Sequence, residues 1–478
     1  MAYRFGPHGS VASRHKRAYL NPPSFNILRL APPLLENLSR LGYTQMTPVQ
    51  TQSLPAVLER KDVIVKAQTG SGKTLAFGIG LVMKLLPDEK AVQALVLCPT
   101  RELAEQVAGE LRRLSRHLPN VKVLTLCGGV PLAPQRDSLA HGAHIVVGTP
   151  GRILDHLGKK TLALSKVHTL VLDEADRMLD MGFHDAILQI AAHLTASRQT
   201  MLFSATFPDA IAAMGAALLN TPVTVDVETA PERRTLTQHF FRVKGEKTEM
   251  LTRLLGHFQP VSCVIFCNTK AGCDALAEAL QYEGYDAAVL HGDLRQSERT
   301  EVLTRFALGG IRLLIATDVA ARGLDIKALG AVINFDLPEK PETYLHRVGR
   351  TARAGSGGIA LTLFTPKQQG AAERLAAAAE SLFESEDASG FPPADPAVLF
   401  PRYTVVRIDG GRKDKLRPGD LLGALCAPGG IEGKQVGEIV LYDTLAYVAV
   451  AREAASTAIK QLNRGKIKGK KFRARAVG

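Results

Sequence analysis

Short apolar runs rich in Val, Ile and Leu recur through the first 366 residues, separated by longer stretches in which apolar and polar positions alternate at helical spacing. Residues 62–65, 94–98, 121–126, 144–147, 169–172 and 200–203 form one series. A second begins near Gln238 and runs through 263–267, 287–290, 312–316, 331–335 and 359–364. Runs this short and this continuously apolar predict strands buried on both faces, and their alternation with helices predicts parallel sheets covered by helices. Two series therefore predict two α/β domains in tandem. The rhythm then changes to strand (403–408), helix (418–426), two strands (436–441 and 446–451), helix (453–462) and strand (468–477). That βαββαβ order predicts a small α+β domain.

The expected organisation is a disordered basic extension at 1–24, α/β domains at 25–226 and 227–382, a linker at 383–399 and the α+β domain at 400–478. A charged stretch at 225–234 suits a hinge, and the acidic, Pro-containing 384–396 suits the linker. With 46% apolar and 22% charged residues in 478, the composition is that of an ordinary globular protein. No run approaches the apolar length of a membrane span and the extension has no apolar signal core, so a cytoplasmic protein without a membrane partner is expected. Six cysteines (Cys98, Cys127, Cys263, Cys267, Cys273, Cys426) show neither a CxxC pair nor zinc spacing. They predict reduced core thiols and no disulfides. The net charge of +13 is uneven, because residues 400–478 hold 16 Lys/Arg against 7 Asp/Glu. A basic domain of this kind points to a polyanion, most simply nucleic acid.

The strand-like 62–65 leads into Ala67-Gln68-Thr69-Gly70-Ser71-Gly72-Lys73-Thr74 and then a helix-permissive stretch. In that setting the glycines let backbone N–H groups turn onto phosphates, Lys73 reaches the β and γ oxygens, and the Thr74 hydroxyl faces Mg²⁺ at a helix N-terminus. Ala67, where the first glycine of such a loop usually falls, is small enough to be tolerated. Further on, the apolar 170–172 delivers adjacent carboxylates, Asp173 and Glu174, to a strand end. Asp173 can hold Mg²⁺ directly or through water, and Glu174 can orient or deprotonate the water that attacks a γ-phosphate. Either string alone is a common surface pattern. Together they define nucleotide hydrolysis, with ATP and Mg²⁺ as the expected cofactors.

In sequence order, the motifs over residues 25–366 resemble those of the DEAD-box ATP-dependent RNA helicases of superfamily 2. Gly42-Tyr43 through Thr47-Pro48-Val49-Gln50 is similar to the Q motif, which implies Gln50 on the adenine edge and Phe25 stacked on its face. Pro99-Thr100-Arg101-Glu102-Leu103, Gly128-Gly129 and Thr149-Pro150-Gly151-Arg152 are similar to the family's RNA-backbone contacts. The resemblance implies that role for Arg101, Gly129, Thr149, Gly151 and Arg152, and a coupling role for Ser204 and Thr206 in Ser204-Ala205-Thr206. In the second half it implies RNA contacts by Asn268, Gln296, Arg299, Thr317 and Gly323, and an ATP-ribose contact by Asp325. Arg350 and Arg353, in the string His346-Arg347-Val348-Gly349-Arg350-Thr351-Ala352-Arg353, are implied arginine fingers. The implied fold is two tandem RecA-like parallel-sheet domains. The implied activity is RNA-dependent ATP hydrolysis that locally unwinds short RNA duplexes. Lys73, Asp173, Glu174, Arg350 and Arg353 would be catalytic; Phe25, Gln50, Thr69, Gly70, Ser71, Gly72, Lys73, Thr74 and Asp325 would hold the nucleotide. Neither half carries a whole site, so closure on RNA is expected to switch on hydrolysis, finger arginines being worth roughly 10³ to 10⁵ in rate.

The βαββαβ segment reads as RRM-like, but its strand near 445–450 lacks the paired aromatics that stack bases in RRMs. The cationic loops are the better RNA contacts: Arg412, Lys413 and Lys415 in one, Lys466, Lys468, Lys470 and Lys471 in the other. Residues 411–425 and 465–470 resemble the C-terminal domain of the bacterial DbpA subfamily, which implies the hairpin 92 region of 23S rRNA in pre-50S particles as partner. A generic RNA chaperone remains an alternative, as does an ATP-gated RNA-binding scaffold. The intact Lys73, Asp173, Glu174, Arg350 and Arg353 argue against the scaffold.

Overall fold

In the computed structural model the described residues are 23–67, 70–227, 236–321, 329–351, 357–393 and 395–477. Thr69, Gly323, Asp325, Arg353, nearly all of the extension at 1–24 and most of the hinge stretch lie outside them. The described residues up to 227 belong to one compact unit and those from 236 onward to another, apart from a few residues outside the described set.

In the first unit the apolar runs become β1 (Val63–Lys66), β2 (Ala94–Leu97), β3 (Val123–Leu126), β4 (Ile145–Gly148), β5 (Thr169–Leu172) and β6 (Gln199–Ser204), with β7 (Val223–Asp226) added at one edge. The order is β3-β4-β2-β5-β6-β1-β7, with every pair parallel. Alternate residues feed opposite faces: Val63, Val65, Val96, Val147, Val171 and Phe203 pack on one side, Ile64, Leu95, Leu97, Val146, Leu172 and Leu202 on the other. Because β5, β6 and β1 are neighbours running the same way, Asp173, Ser204 and the loop after Lys66 emerge at one edge. Carboxyl ends of parallel strands are where open α/β sheets bind ligands. β7 takes in Val225 and Asp226, the first two residues of the stretch read as a hinge, because Val223 and Val225 alternate with polar residues and pair with Val63 and Val65.

The second unit repeats the plan with β8 (Leu236–Arg242), β9 (Cys263–Phe266), β10 (Ala287–Leu290), β11 (Leu313–Ala316), β12 (Ala331–Asn334), β13 (Gly358–Phe364) and β14 (Ser385–Glu386), in the parallel order β10-β11-β9-β12-β13-β8-β14. The segment expected as a linker is instead strapped to this lobe. Ser385 and Glu386 extend the sheet beside Phe240 and Phe241, the Phe391 ring stacks on His257 at 3.9 Å, and Leu399 is buried. Arg253 donates to the carbonyls of Ser389 and Phe391 at 3.1 and 2.6 Å. The acidic composition that suggested a linker hides these few apolar anchors.

The third sheet, also in the second unit, is antiparallel: β15 (Tyr403–Ile408), β16 (Val436–Leu441), β17 (Ala446–Ala451) and β18 (Ala474–Val477), ordered β16-β17-β15-β18. Helices Pro418–Leu425 and Ala455–Arg464 cover one face. The last strand begins at Ala474 rather than at 468, because Lys468 (φ 50°) and Gly469 (φ 79°) turn the chain so that Ile467 and Lys470 bridge. No helix of the described residues is long and apolar enough to cross a membrane, and all six cysteines are free thiols.

Candidate functional site

The phosphate-type loop leaves β1 and enters the Lys73–Val82 helix through Gly70 (φ 86°) and Gly72 (φ 94°), a backbone that only glycine adopts without strain. A Cβ on Gly72 would stand 2.4 Å from Gln50 Nε2. Gln50 is 3% exposed and both ends of its amide are engaged: Nε2 donates to Gly72 O at 3.1 Å and Oε1 accepts Thr47 N at 2.9 Å. It therefore braces the loop from below, a role the adenine-edge expectation did not include. Phe25 is buried in an apolar cluster with Leu30, Leu34, Leu38 and Met46 rather than presenting its ring to solvent. Lys73, also buried, donates to Ala67 O at 2.8 Å.

Asp173 leaves β5 almost fully buried, and burial pushes its carboxyl up to about 6 against the pull of Lys73. A buried carboxylate within electrostatic reach of Lys73, next to which Thr74 brings a hydroxyl in the first turn of the helix, is a hard-oxygen donor set. It fits Mg²⁺, which needs only one or two protein oxygens alongside phosphate and water. Among the described residues no cluster of three or more His, Cys, Asp or Glu offers a self-sufficient metal cage. Glu174 sits at φ 52°, ψ 52°, and its carboxylate pairs with buried Arg177 at 2.8 Å.

Asp176, not among the sequence candidates, organises this edge. Its Oδ2 accepts Ala205 N, Thr206 N and Thr206 Oγ1 at 3.1, 2.9 and 3.0 Å. Burial works to raise its carboxyl, but the Thr206 hydrogen bonds and the Lys73 charge outweigh it and hold the group below its ordinary value. Ser204 donates to Thr206 O at 2.6 Å. The acid tetrad and the Ser204–Thr206 segment are thus one hydrogen-bonded body. The available signal was a third acid, one residue on from Glu174-Ala175, with one hydroxyl residue, Thr206, further along the chain to satisfy it.

The implied RNA contacts of the first unit gather at the same carboxyl edge. A Cβ on Gly129 (φ 67°) would fall 1.7 Å from Arg101 Nη2, so the guanidinium lies directly over this glycine. Thr149 precedes the Pro150–Gly158 helix, and Gly151 is exposed with open space where a Cβ would be. Arg152 is different. Both terminal nitrogens donate to Val130 O at 3.1 and 3.0 Å, and Nη1 also reaches Gln135 Oε1. It ties that helix to the turn after Gly129 and so positions its neighbours.

In the second unit, Arg347 is the residue that sequence reasoning missed. It is 1% exposed, forks onto both Asp318 oxygens at 2.7 Å, and also donates to Asn268 Oδ1 at 2.9 Å and Asp336 O at 2.6 Å. Its position three residues before Arg350 was the legible hint. Asn268, expected on RNA, is held by Arg347 and by its own donation to Leu337 O at 2.9 Å. Arg350 is buried in a small recess with Phe266, Asp318, His346 and Arg347. Thr317 is buried, and Arg299 donates to Ala320 O at 2.6 Å; Gln296 opens the Gln296–Ala307 helix.

On the C-terminal domain the two cationic loops meet. Lys468 Nζ donates to Lys415 O at 2.8 Å and pairs with Asp420 at 2.8 Å, while Lys470 faces Asp414 at 3.6 Å and Lys413 faces Asp443 at 3.9 Å. Lys468 is thus a brace. Among the described residues Arg412, Lys415, Lys466 and Lys471 are exposed and make no ion pair, leaving their charge to the surface.

The chain matches the DEAD/DEAH box helicase family over residues 47–214, the helicase conserved C-terminal domain over 246–355 and the DbpA RNA binding domain over 405–476. It is 50% identical over 458 residues to the ATP-dependent RNA helicase DbpA of Escherichia coli (strain K12), across 95% of this chain and 99% of that protein. Identity to the DEAD-box ATP-dependent RNA helicase CshA of Geobacillus kaustophilus is 47% over 352 residues, 73% of this chain and 74% of that one. Among solved structures it is similar to S. cerevisiae Dbp5 bound to RNA and ADP BeF3, with a TM-score of 0.70 and 30% identity over 77% of this chain and 96% of that chain.

Proposed function

The chain belongs to the DEAD-box ATP-dependent RNA helicases, and we propose that its DbpA-type domain directs it to the hairpin 92 region of 23S rRNA in cytoplasmic precursors of the 50S subunit. It is an RNA-dependent ATPase and helicase. In our reading the backbone from Gly70 to Gly72 and Lys73 hold the β and γ phosphates. Thr74 and Asp173 would hold Mg²⁺, which neutralises developing phosphate charge when bound. Glu174 orients the water whose oxygen bonds the γ-phosphorus as the bond to the β–γ bridging oxygen breaks, giving ADP and phosphate. Arg350 and Arg353 complete the site from the second lobe once RNA has drawn the lobes together. Contacts to sugar and phosphate leave that core indifferent to sequence, so selection falls to the C-terminal domain.

The observation that supports this most is the convergence of the two cationic loops, joined through Lys468 and Lys415, on a domain matched to the DbpA RNA binding family. The test compares ATPase stimulation by a hairpin 92 RNA, a scrambled RNA of equal length and duplex DNA. The reading expects the hairpin RNA to half-saturate at about 10- to 100-fold lower concentration, a difference of about 1.4–2.8 kcal/mol. Equal stimulation by the two RNAs leaves the generic chaperone instead.

A further inference from the structure

The sheet of the C-terminal domain has both faces covered. Val406, Ile408, Val448 and Val450 pack on the domain's own helices, whereas Val405, Tyr447 and Ala449 pack on Leu308 of the second lobe. Gly310 makes this approach possible, since a Cβ there would stand 2.5 Å from Val405 Cγ2. Polar contacts key the junction. Glu301 Oε2 accepts from Arg407 Nη1 and from Tyr447 Oη, each at 3.4 Å, and Thr304 Oγ1 lies 2.7 Å from Tyr442 Oη. Burial, aided by Glu301, pushes the Tyr447 phenol up to about 12, so it stays a proton donor at working pH. Glu301 and Thr304 are the sixth and ninth residues of the 12-residue Gln296–Ala307 helix, and Gln296 and Arg299 occupy its first turn. One rod of about 18 Å, at 1.5 Å per residue, therefore joins an implied RNA track to the docked domain.

We propose that this helix is a fixed spacer and Glu301 a positioning residue: by clamping the sheet, Glu301 sets the distance between RNA held on the cationic loops and RNA drawn along the second lobe, and so decides which neighbouring duplex is opened. The inference rests on the reading of function given above. A flexible tether makes effective concentration change slowly with separation, whereas a rigid dock gives a sharp optimum.

The full chain is tested on RNAs joining hairpin 92 to a reporter duplex through single-stranded spacers of increasing length. Wild type should unwind best at one spacer length. Glu301→Lys and, independently, Gly310→Val, which wedges the junction at Val405, should reduce the ratio between best and worst spacers about fivefold or more. Hairpin affinity and ATPase on unstructured RNA should stay within about twofold, since neither surface is altered. Glu301→Lys/Arg407→Glu, which reverses the pair, should restore the optimum. An optimum unchanged in both single variants, or a wild type that binds the hairpin selectively yet unwinds equally at every spacer, overturns the positioning role alone. A wild type with no preference for the hairpin overturns the functional reading and this inference with it.

Discussion

Asp176→Ala removes the acceptor on which three donors converge, Ala205 N, Thr206 N and Thr206 Oγ1. Hydrogen bonds to an ionised group are worth about 1.5–3 kcal/mol each, so a simple sum would be about 4.5–9 kcal/mol. The three share one oxygen and are not additive, and Ala205 and Thr206 are only half-buried, so freed donors reach water. The expected loss is about 3–5 kcal/mol in the first unit. Asp176→Asn keeps one oxygen for the three donors but turns an NH₂ toward Arg177 N, which now donates to Oδ1 at 3.0 Å; about 1–2 kcal/mol should be lost. Urea unfolding followed by a probe in the first unit measures both, so that transitions of the other unit do not enter. A carboxyl held below its ordinary 3.8 stabilises the fold above that value and stops doing so as pH falls through the lower one. The gap between wild type and Asp176→Ala should therefore persist from neutral pH to about 4 and close below it. Since the same bonds hold the Ser204–Thr206 segment against the acids, unwinding should fall further than RNA-stimulated hydrolysis. An Asp176→Ala protein within about 1 kcal/mol of wild type, with unwinding intact, would refute the reasoning.

Lys73→Ala should lose nucleotide affinity and turnover together, whereas Glu174→Gln should keep ATP and RNA binding while steady-state hydrolysis drops by about 10²-fold or more; full turnover in Glu174→Gln removes that residue from its role. Gly129→Ala puts a methyl group into the Arg101 guanidinium at a left-handed φ, so RNA affinity by fluorescence anisotropy should weaken about tenfold with ATP affinity unchanged. Arg347→Lys keeps the charge but loses the fork onto Asp318 and the bond to Asn268, and should lower the urea stability of the second unit by about 2–4 kcal/mol. A shift below about 0.5 kcal/mol would show that the network is not held by this guanidinium.

The sheets were readable because a strand buried on both faces writes itself as a continuous apolar run: 169–172 and 263–267 needed no partner to be recognised. β7 and β14 were not, since edge strands of four and two residues, Val-Thr-Val-Asp and Ser-Glu, carry no continuous apolar run and become strands by pairing with Val63, Val65, Phe240 and Phe241 beside them. The strings from Gly70 to Thr74 and Asp173-Glu174 stood out because residue types suited to phosphate follow short apolar runs, and both do follow strands, β1 and β5, of one sheet. Their supports did not stand out. Gln50 under Gly72, Arg152 on Val130, Arg347 on Asp318 and Asp176 on Thr206 join residues far apart in the chain or looking in directions that a linear pattern does not encode.

Reading residues one after another was therefore enough to decide that this is a two-lobed nucleotide engine with a basic RNA-binding appendage, because strand burial and phosphate binding are local requirements met by short strings. Which arginines brace and which remain exposed, that the acidic segment at 384–396 is a strap, and that the appended sheet rests on Glu301 and Leu308 were decided only by packing. Each depends on which donor meets which acceptor once chain segments separated by tens of residues are brought together, and on how completely that meeting excludes water.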